Sequence, residues 1–291
     1  MNFKFRAAAL PLLLACAAPA AGGDTAAVLS SDSAAYMEAF SAFQAAYGSA
    51  IPYYDLSKKN TEVPAGARTV VAFGGRAANQ AYAPGVSIVY CMAPGFFAKG
   101  TEPGTRTVKI SMVPEFRLLF EKLLAIQPGM KRLRIFWMVP DFESYTDEVK
   151  AEGARQGVEV TTVKAASADS LPALLRQGLP QMDAFWIPPD PLIISPEILL
   201  ILREFSWSNG VPFYGSTKGM TREGAAASVG VSFGEMGKAA AAAARLLEAG
   251  RPVPAIIFPE KVQITLNSSA ARKCSLTFPR AIIEEAGHLF P

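Results

Sequence analysis

Short apolar runs alternate along this chain with segments in which apolar residues recur every three or four positions. The run Thr25–Leu29 is typical of a buried strand, and Ala34–Tyr47, whose aromatic residues recur at helical spacing, is typical of a helix. Strands that alternate with helices indicate an α/β fold built on parallel sheets. The same patterns predict strands at 69–73, 87–91, 133–139, 184–187 and 263–266 and helices at 115–126, 235–249 and 280–286.

The second half of the chain repeats the first. In each half a strand is followed by an acidic residue, a tyrosine in the first turn of the next helix, and a glycine that ends the helix in a left-handed conformation. These residues are Asp32, Tyr36 and Gly48 and, 109 positions later, Asp141, Tyr145 and Gly157. The repeat predicts two similar α/β lobes joined by a hinge. We assign residues 24–108 to lobe 1, completed by about 232–258, and residues 109–231 to lobe 2, completed by about 259–291. A ligand would lie between the lobes, at the carboxyl ends of the strands.

Residues 1–23 are typical of a secretory signal. Lys4 and Arg6 precede an apolar run that is too short to span a bilayer, and small residues follow it. An alternative interpretation is a bacterial lipobox ending at Cys16, which would then carry lipid. Both interpretations predict export, so the protein would be periplasmic, either soluble or anchored to a membrane.

Composition excludes several classes of chemistry. The formal charge of +3 falls to +1 without the leader, which gives no reason to expect nucleic acid as a partner. The chain contains one histidine, His288, although histidine is the usual general base and the commonest metal ligand. We therefore expect no catalytic residues, no metal site and no cofactor. Cys91 and Cys274 could pair in an oxidising compartment, or could remain free as small buried hydrophobic residues.

Three segments resemble a known family. They are residues 27–43 (AVLSSDSAAYMEAFSAF), residues 183–215 (DAFWIPPDPLIISPEILLILREFSWSNGVPFYG) and residues 259–283 (PEKVQITLNSSAARKCSLTFPRAII). They are similar to the ABC transporter substrate-binding proteins related to tryptophan- and tyrosine-binding proteins. The resemblance implies a type I periplasmic-binding-protein fold, capture of a small molecule in a closing cleft, and delivery to an ABC permease in the inner membrane.

The chain departs from this family pattern at one edge of the predicted cleft. Many relatives have an Asp-Pro pair where this chain has Met92-Ala93-Pro94-Gly95. A free amino acid needs a partner for its ammonium group. The missing acid weakens the case for an amino-acid ligand. The neighbouring Phe96 and Phe97 make this edge more apolar, which favours a larger or less polar ligand.

Candidate ligand-binding residues come from the loops that follow predicted strands. Hydroxyl groups at a helix start suit an anion, glycines allow close approach to backbone, tyrosines stack on rings, and carboxylates accept hydrogen bonds. Helix capping and core packing are the competing interpretations for the same residues. The candidates in lobe 1 are Ser31, Asp32, Ser33, Tyr36, Gly74, Gly75, Tyr90 and Met92. Those in lobe 2 are Asp141, Tyr145, Trp186, Pro189, Asp190, Ser216 and Thr217.

The leading hypothesis is a non-enzymatic, monomeric binding protein of an ABC importer with a small, aromatic or largely apolar ligand. A second hypothesis keeps the fold but makes the protein a sensing subunit that presents its bound state to a membrane receptor or kinase. A third is an exported hydrolase that uses a pair of carboxylates such as Asp141 and Asp190.

Overall fold

The computed structural model describes residues 24–59, 61, 66–94 and 106–291, with residue 141 described by its backbone alone. The predicted leader, Cys16, Phe96 and Phe97 lie outside the described residues. Among the described helices, none combines the length and the apolar character that a membrane span requires.

The described residues form thirteen strands and ten α-helices. The strands are β1 (Thr25–Leu29), β2 (Tyr53–Asp55), β3 (Thr69–Phe73), β4 (Ser87–Cys91), β5 (Thr107–Ile110), β6 (Arg132–Trp137), β7 (Glu159–Lys164), β8 (Ala184–Trp186), β9 (Phe213–Gly215), β10 (Ala227–Gly230), β11 (Ile256–Ile257), β12 (Gln263–Asn267) and β13 (His288–Phe290). The helices are α1 (Ala34–Tyr47), α2 (Gly75–Ala78), α3 (Phe116–Ile126), α4 (Thr146–Arg155), α5 (Leu171–Gly178), α6 (Pro196–Asn209), α7 (Lys218–Arg222), α8 (Phe233–Glu248), α9 (Ser268–Lys273) and α10 (Arg280–Glu285).

The strands form two sheets. The first has the order β11-β5-β4-β3-β1-β2 and the second the order β13-β12-β10-β9-β8-β6-β7. Neighbouring strands run parallel in both sheets except β10 and β12, which are antiparallel. The segments β2-β1-β3-β4-β5 and β7-β6-β8-β9-β10 follow one another in the same order, so the tertiary structure repeats as the sequence does. We call each sheet with its helices a lobe.

The chain passes between the two sheets three times, at residues 111–115, 231–232 and 258–262. The predicted lobe boundary between residues 108 and 109 falls inside β5, a strand that the apolar pattern did not predict. The remaining boundaries lie at or next to a crossing. The division into lobes at the stated residues stays a prediction.

Helices cover both faces of each sheet, as a parallel sheet requires. On the first sheet α1 and α8 pack together on one face, and α2 lies on the other. On the second sheet α3 and α4 cover one face, and α5 and α6 cover the other. Helix α8 carries a run of alanines at 239–244, and its small side chains allow close contact with α1.

The glycines of the sequence repeat have the predicted left-handed backbone: Gly48 ends α1 with φ 78°, and Gly157 follows α4 with φ 73°. The predicted position of Tyr145 in the first turn of a helix is wrong. Tyr145 ends a 3₁₀ helix, Pro140–Tyr145, which precedes α4. In a 3₁₀ helix, side chains three residues apart share a face, so Phe142 and Tyr145 point the same way.

Cys91 in β4 and Cys274 after α9 are free and buried, so they do not form the disulfide that the sequence left open. Burial raises the pKa of both thiols. Both cysteines therefore behave as small core residues.

Candidate ligand-binding cleft

Among the described residues, two pockets open between the lobes, and each is lined by residues from both lobes. The first, which we call the apolar cleft pocket, is narrow, with a volume of about 20 Å³. Lobe 1 and the first crossing contribute Pro94, Lys109, Ser111, Met112 and Val113, and lobe 2 contributes Val139, Phe142, Tyr145, Pro188 and Pro189. Most of these side chains are apolar or aromatic, which is the usual lining of a small-molecule site.

A cluster of aromatic rings lies beneath the lobe 2 wall of this pocket. The ring centroid of Phe142 lies 5.9 Å from those of Trp137 and Trp186. Tyr145 contacts Phe116 edge to face at 5.9 Å, and Phe258 of the third crossing at 6.5 Å. The rings fix the positions of Phe142 and Tyr145, so this wall is formed by well-packed side chains.

The second pocket, which we call the polar cleft pocket, has a volume of about 540 Å³. It lies between α1 and α8 of lobe 1 and the loops after β9 and β10 of lobe 2. Its lining is rich in hydroxyl groups and carries both signs of charge. The residues are Glu38, Ile194, Ser216, Thr217, Lys218, Gly219, Ser228, Gly230, Val231, Ser232, Phe233 and Gln263.

The predicted site residues divide between these surfaces. Tyr145 and Pro189 line the apolar cleft pocket, and Ser216 and Thr217 line the polar one. Thr217 also caps α7 by accepting the N–H of Met220, so capping and pocket lining are compatible for this residue. Asp141 lies in the 3₁₀ helix beside the apolar cleft pocket, and its side chain is outside the described part of the structure.

The remaining lobe 1 candidates line neither pocket. Ser31 accepts a hydrogen bond from the N–H of Ser33 at 3.4 Å, whereas Asp32 is exposed and Ser33 begins α1 without a side-chain cap. Tyr90 and Met92 are buried. Tyr90 packs with the residues under α2, and burial raises the pKa of its phenol. The prediction that Tyr90 and Met92 bind the ligand is therefore corrected, because both belong to the core of lobe 1.

Tyr36 and Gly74 form a close contact at the carboxyl ends of β1 and β3. Gly74 has φ 91° and ψ 167°, a conformation that is almost restricted to glycine. A Cβ at this position would lie 2.5 Å from Cζ and Oη of Tyr36 and 2.6 Å from Oγ of Ser30. The absent side chain of Gly74 thus leaves the space that the Tyr36 ring end occupies.

We expect Gly74→Ala to lower the free energy of unfolding by about 1 to 3 kcal/mol, because alanine adds backbone strain and a clash with Tyr36. Urea unfolding would measure the loss. Gly75→Ala is the matched control, since a Cβ at Gly75 meets no atom within 4 Å and its φ is not in the left-handed region. Equal unfolding midpoints for the two variants would contradict the packing described for Gly74.

Two predicted lining residues have other roles. Trp186 is 0% exposed and packs in the core of lobe 2, so it supports the cleft wall without lining it. Asp190 is also 0% exposed. Its carboxylate accepts backbone N–H groups from Met138, Val139 and Leu192, and it does not face a pocket. Both are corrections of the predicted ligand contacts.

Sequence reasoning missed several lining residues, including Lys109, Ser111 and Phe142. Lys109 and Ser111 are 5% and 1% exposed. A lysine between the apolar Val108 and Ile110 was the available signal, because a charged residue inside an apolar strand calls for an explanation. The apolar pattern did not predict β5, so the lysine within it was not recognised as a signal. Among the described residues, no three His, Cys, Asp or Glu side chains group as metal ligands would.

The family model described as ABC transporter substrate binding protein matches residues 118–289. No curated protein matches the chain. Among solved structures, an ABC domain in complex with L-Trp from Streptococcus pneumonia is similar, with 17% identity, a TM-score of 0.63, and coverage of 91% of this chain and 100% of that chain.

Two further solved structures are similar to the chain. One is a ligand-free, open substrate-binding protein with adhesive properties from Clostridium difficile, with 13% identity, a TM-score of 0.64, and coverage of 91% of this chain and 98% of that chain. The other is a solute binding protein from Agrobacterium vitis bound with alpha-D-tagatopyranose, with 13% identity, a TM-score of 0.51, and coverage of 90% and 98%. At these identities the likeness shows the fold, and the predicted two-lobed α/β architecture is confirmed.

Proposed function

Because the chain belongs to the ABC transporter substrate-binding protein family and has the type I periplasmic-binding-protein fold, we propose that it captures a small, aromatic or largely apolar molecule between its lobes and delivers it to an ABC permease. The family resemblance seen in the sequence is confirmed by the matching family model. The ligand class and the permease are our proposals.

The apolar lining that the two lobes share is the observation that carries this proposal. The pocket itself has room for about one water molecule, so a ligand would enter when the lobes move apart. Prolines from both lobes, Pro94 opposite Pro188 and Pro189, narrow the pocket, and Phe142 and Tyr145 supply aromatic surface. Proline rings and tightly packed aromatic rings lose little conformational freedom on binding, which favours a flat apolar ligand. The polar cleft pocket, with Ser216 and Thr217, would bind a polar part of the same ligand.

The predicted leader supports a location outside the inner membrane. We propose that residues 1–23 direct export and that the mature protein is periplasmic. The alternative to a soluble form is a protein that begins at Cys16 and carries lipid there. The mass of the protein purified from its own source would distinguish these two forms, since a lipid adds a discrete mass at Cys16.

We propose that the ligand leaves unchanged. A carboxylate pair made from Asp141 and Asp190 has no support, because three backbone N–H groups occupy the Asp190 carboxylate. The family is a class of binding proteins, which agrees with this proposal.

Thermal unfolding with a panel of aromatic amino acids, nucleosides, fatty acids and sterols tests the function. A compound at a hundred times its Kd stabilises the folded state by about 2.7 kcal/mol and raises Tm.

We expect Tyr145→Ala to weaken binding of that compound by about tenfold to a hundredfold, because a buried aromatic contact is lost. Tyr53→Ala is the control, since Tyr53 is 43% exposed and lies at the start of β2, away from the cleft. If no compound raises Tm, or if Tyr145→Ala binds as the unaltered protein does, the proposed site is wrong.

A further inference from the structure

Asp190 lies where two cleft loops meet and has no solvent exposure. Its carboxylate accepts hydrogen bonds from the backbone of both loops. Its Oδ2 accepts the N–H groups of Met138 at 2.6 Å and Val139 at 2.7 Å, directly after β6. Its Oδ1 accepts the N–H of Leu192 at 2.9 Å, in the loop after β8. Hydrogen bonds to a carboxylate are roughly twice as strong as those between neutral groups. One side chain therefore joins the ends of two neighbouring strands.

The main chain of Asp190 adds to this connection. Its carbonyl oxygen accepts the N–H groups of Ile193 at 3.1 Å and Ile194 at 3.0 Å. The loop held in this way begins at Pro188 and Pro189, which line the apolar cleft pocket, and reaches Ile194, which lines the polar one. Val139, held by the carboxylate from the other side, also lines the apolar pocket.

We propose that Asp190 is a positioning residue that fixes the lobe 2 wall of both cleft pockets in one geometry. Its carboxylate acts through the loops after β6 and β8, without touching the ligand. The consequence for affinity rests on the proposed function, whereas the consequence for the loops does not.

Lobe 1 has a weaker counterpart at the matching place. Ser30, after β1, accepts the N–H of Ala77, after β3, at 3.0 Å. This is one neutral hydrogen bond, where lobe 2 has three to a carboxylate. The ends of β6 and β8 in lobe 2 are therefore joined more strongly than the ends of β1 and β3 in lobe 1.

Asp183 is a matched control within the same strand pair. It precedes β8, as Asp190 follows it, and its Oδ2 accepts the N–H groups of Lys131 at 2.8 Å and Arg132 at 2.9 Å. The two aspartates thus join β6 and β8 at opposite ends. The hydrogen bonds of Asp183 lie at the amino ends of β6 and β8, at the end of the sheet away from the cleft.

Amide hydrogen exchange of the free protein tests the proposal with Asp190→Asn and Asp183→Asn. Asparagine keeps the shape but replaces one acceptor oxygen by an NH₂ donor, so at least one of the three N–H groups loses its partner. We expect exchange in segments 138–145 and 187–195 to rise by about tenfold or more in Asp190→Asn, as the loss of a charged hydrogen bond implies. In Asp183→Asn these segments should stay within about twofold of the unaltered protein, and exchange should rise near Lys131 instead.

If exchange in segments 138–145 and 187–195 rose equally in both variants, the effect would be a general loss of stability, and the proposal would be wrong. No rise in Asp190→Asn would also overturn it. If Asp190→Asn fails to fold, Leu192→Pro, which removes one N–H donor to the Asp190 carboxylate, replaces it. Leu192→Pro should raise exchange in segment 187–195, and no rise there would overturn the proposal.

Titration with 8-anilinonaphthalene-1-sulfonate, an aromatic anion, adds a measurement of binding. Weaker binding by Asp190→Asn alone supports the proposal, and equal weakening by Asp190→Asn and Asp183→Asn opposes it. Since exchange is measured without a ligand, failure of the proposed function leaves this result intact.

Discussion

Replacing Trp186 by alanine is expected to lower the free energy of unfolding by about 3 to 5 kcal/mol, the range for a large aromatic side chain removed from a core. Trp186 is fully buried in β8, between Ile135 of β6 and Tyr214 of β9. Its ring packs against Phe142, which lines the apolar cleft pocket. The loss should therefore be one of stability first, with a secondary weakening of ligand binding through Phe142. Urea unfolding followed by circular dichroism would measure it.

The size of this loss also decides between two roles for Trp186. A residue that lined the cleft would cost little stability when truncated and would lower affinity directly. Leu200→Ala is the control, since Leu200 is 47% exposed on α6 and its loss should change stability by less than about 0.5 kcal/mol. A Trp186→Ala protein as stable as the control variant would restore the lining role that the sequence suggested.

Replacing Gly237 by alanine is expected to lower the free energy of unfolding by about 3 kcal/mol or more, at the upper end for an overpacked contact. Gly237 lies where α8 crosses α1. A Cβ there would lie 2.0 Å from the carbonyl oxygen of Ala39 and 2.9 Å from the nitrogen of Phe43. These are backbone atoms of a helix, so they can yield only if the two helices separate. The gain in helix propensity from glycine to alanine, about 1 kcal/mol, offsets a part of the loss.

Gly129→Ala is the matched control for this substitution, because a Cβ at Gly129 meets no atom within 4 Å. The midpoint of urea unfolding should fall for Gly237→Ala and stay near that of the unaltered protein for Gly129→Ala. A Gly237→Ala protein more stable than the unaltered one would show that helix propensity outweighs the contact, and the close approach of α1 and α8 would be wrong.

Much of the fold was accessible from the sequence because its signals are local. The helix Ala34–Tyr47 and the strands Thr25–Leu29, Thr69–Phe73 and Ser87–Cys91 match the predicted bounds. Each is an uninterrupted apolar or periodic segment, flanked by residues that end it. Strand β11 has two residues and β5 has a lysine among four, and neither pattern is long enough to stand out.

The candidate site was less accessible. Loops after strands were the right places to search, and Tyr145, Pro189, Ser216 and Thr217 do line the pockets. Lys109 and Ser111 were missed because their strand was missed. Trp186 and Asp190 are predicted to line the cleft because Trp186 ends a strand and Asp190 lies in the loop after it, yet both side chains are buried.

The sequence by itself determined the elements, the repeat of 109 residues and the family, because periodicity, capping glycines and family motifs are properties of neighbouring residues. Only the tertiary structure decided which side chains face the cleft. A central strand such as β8 is buried on both faces, so its pattern does not distinguish the core from the pocket. Two partners of the Asp190 carboxylate, Met138 and Val139, lie about 50 positions earlier in the chain, and no local pattern relates them to it. Packing brought these groups together, and packing gave Asp190 its role in the wall.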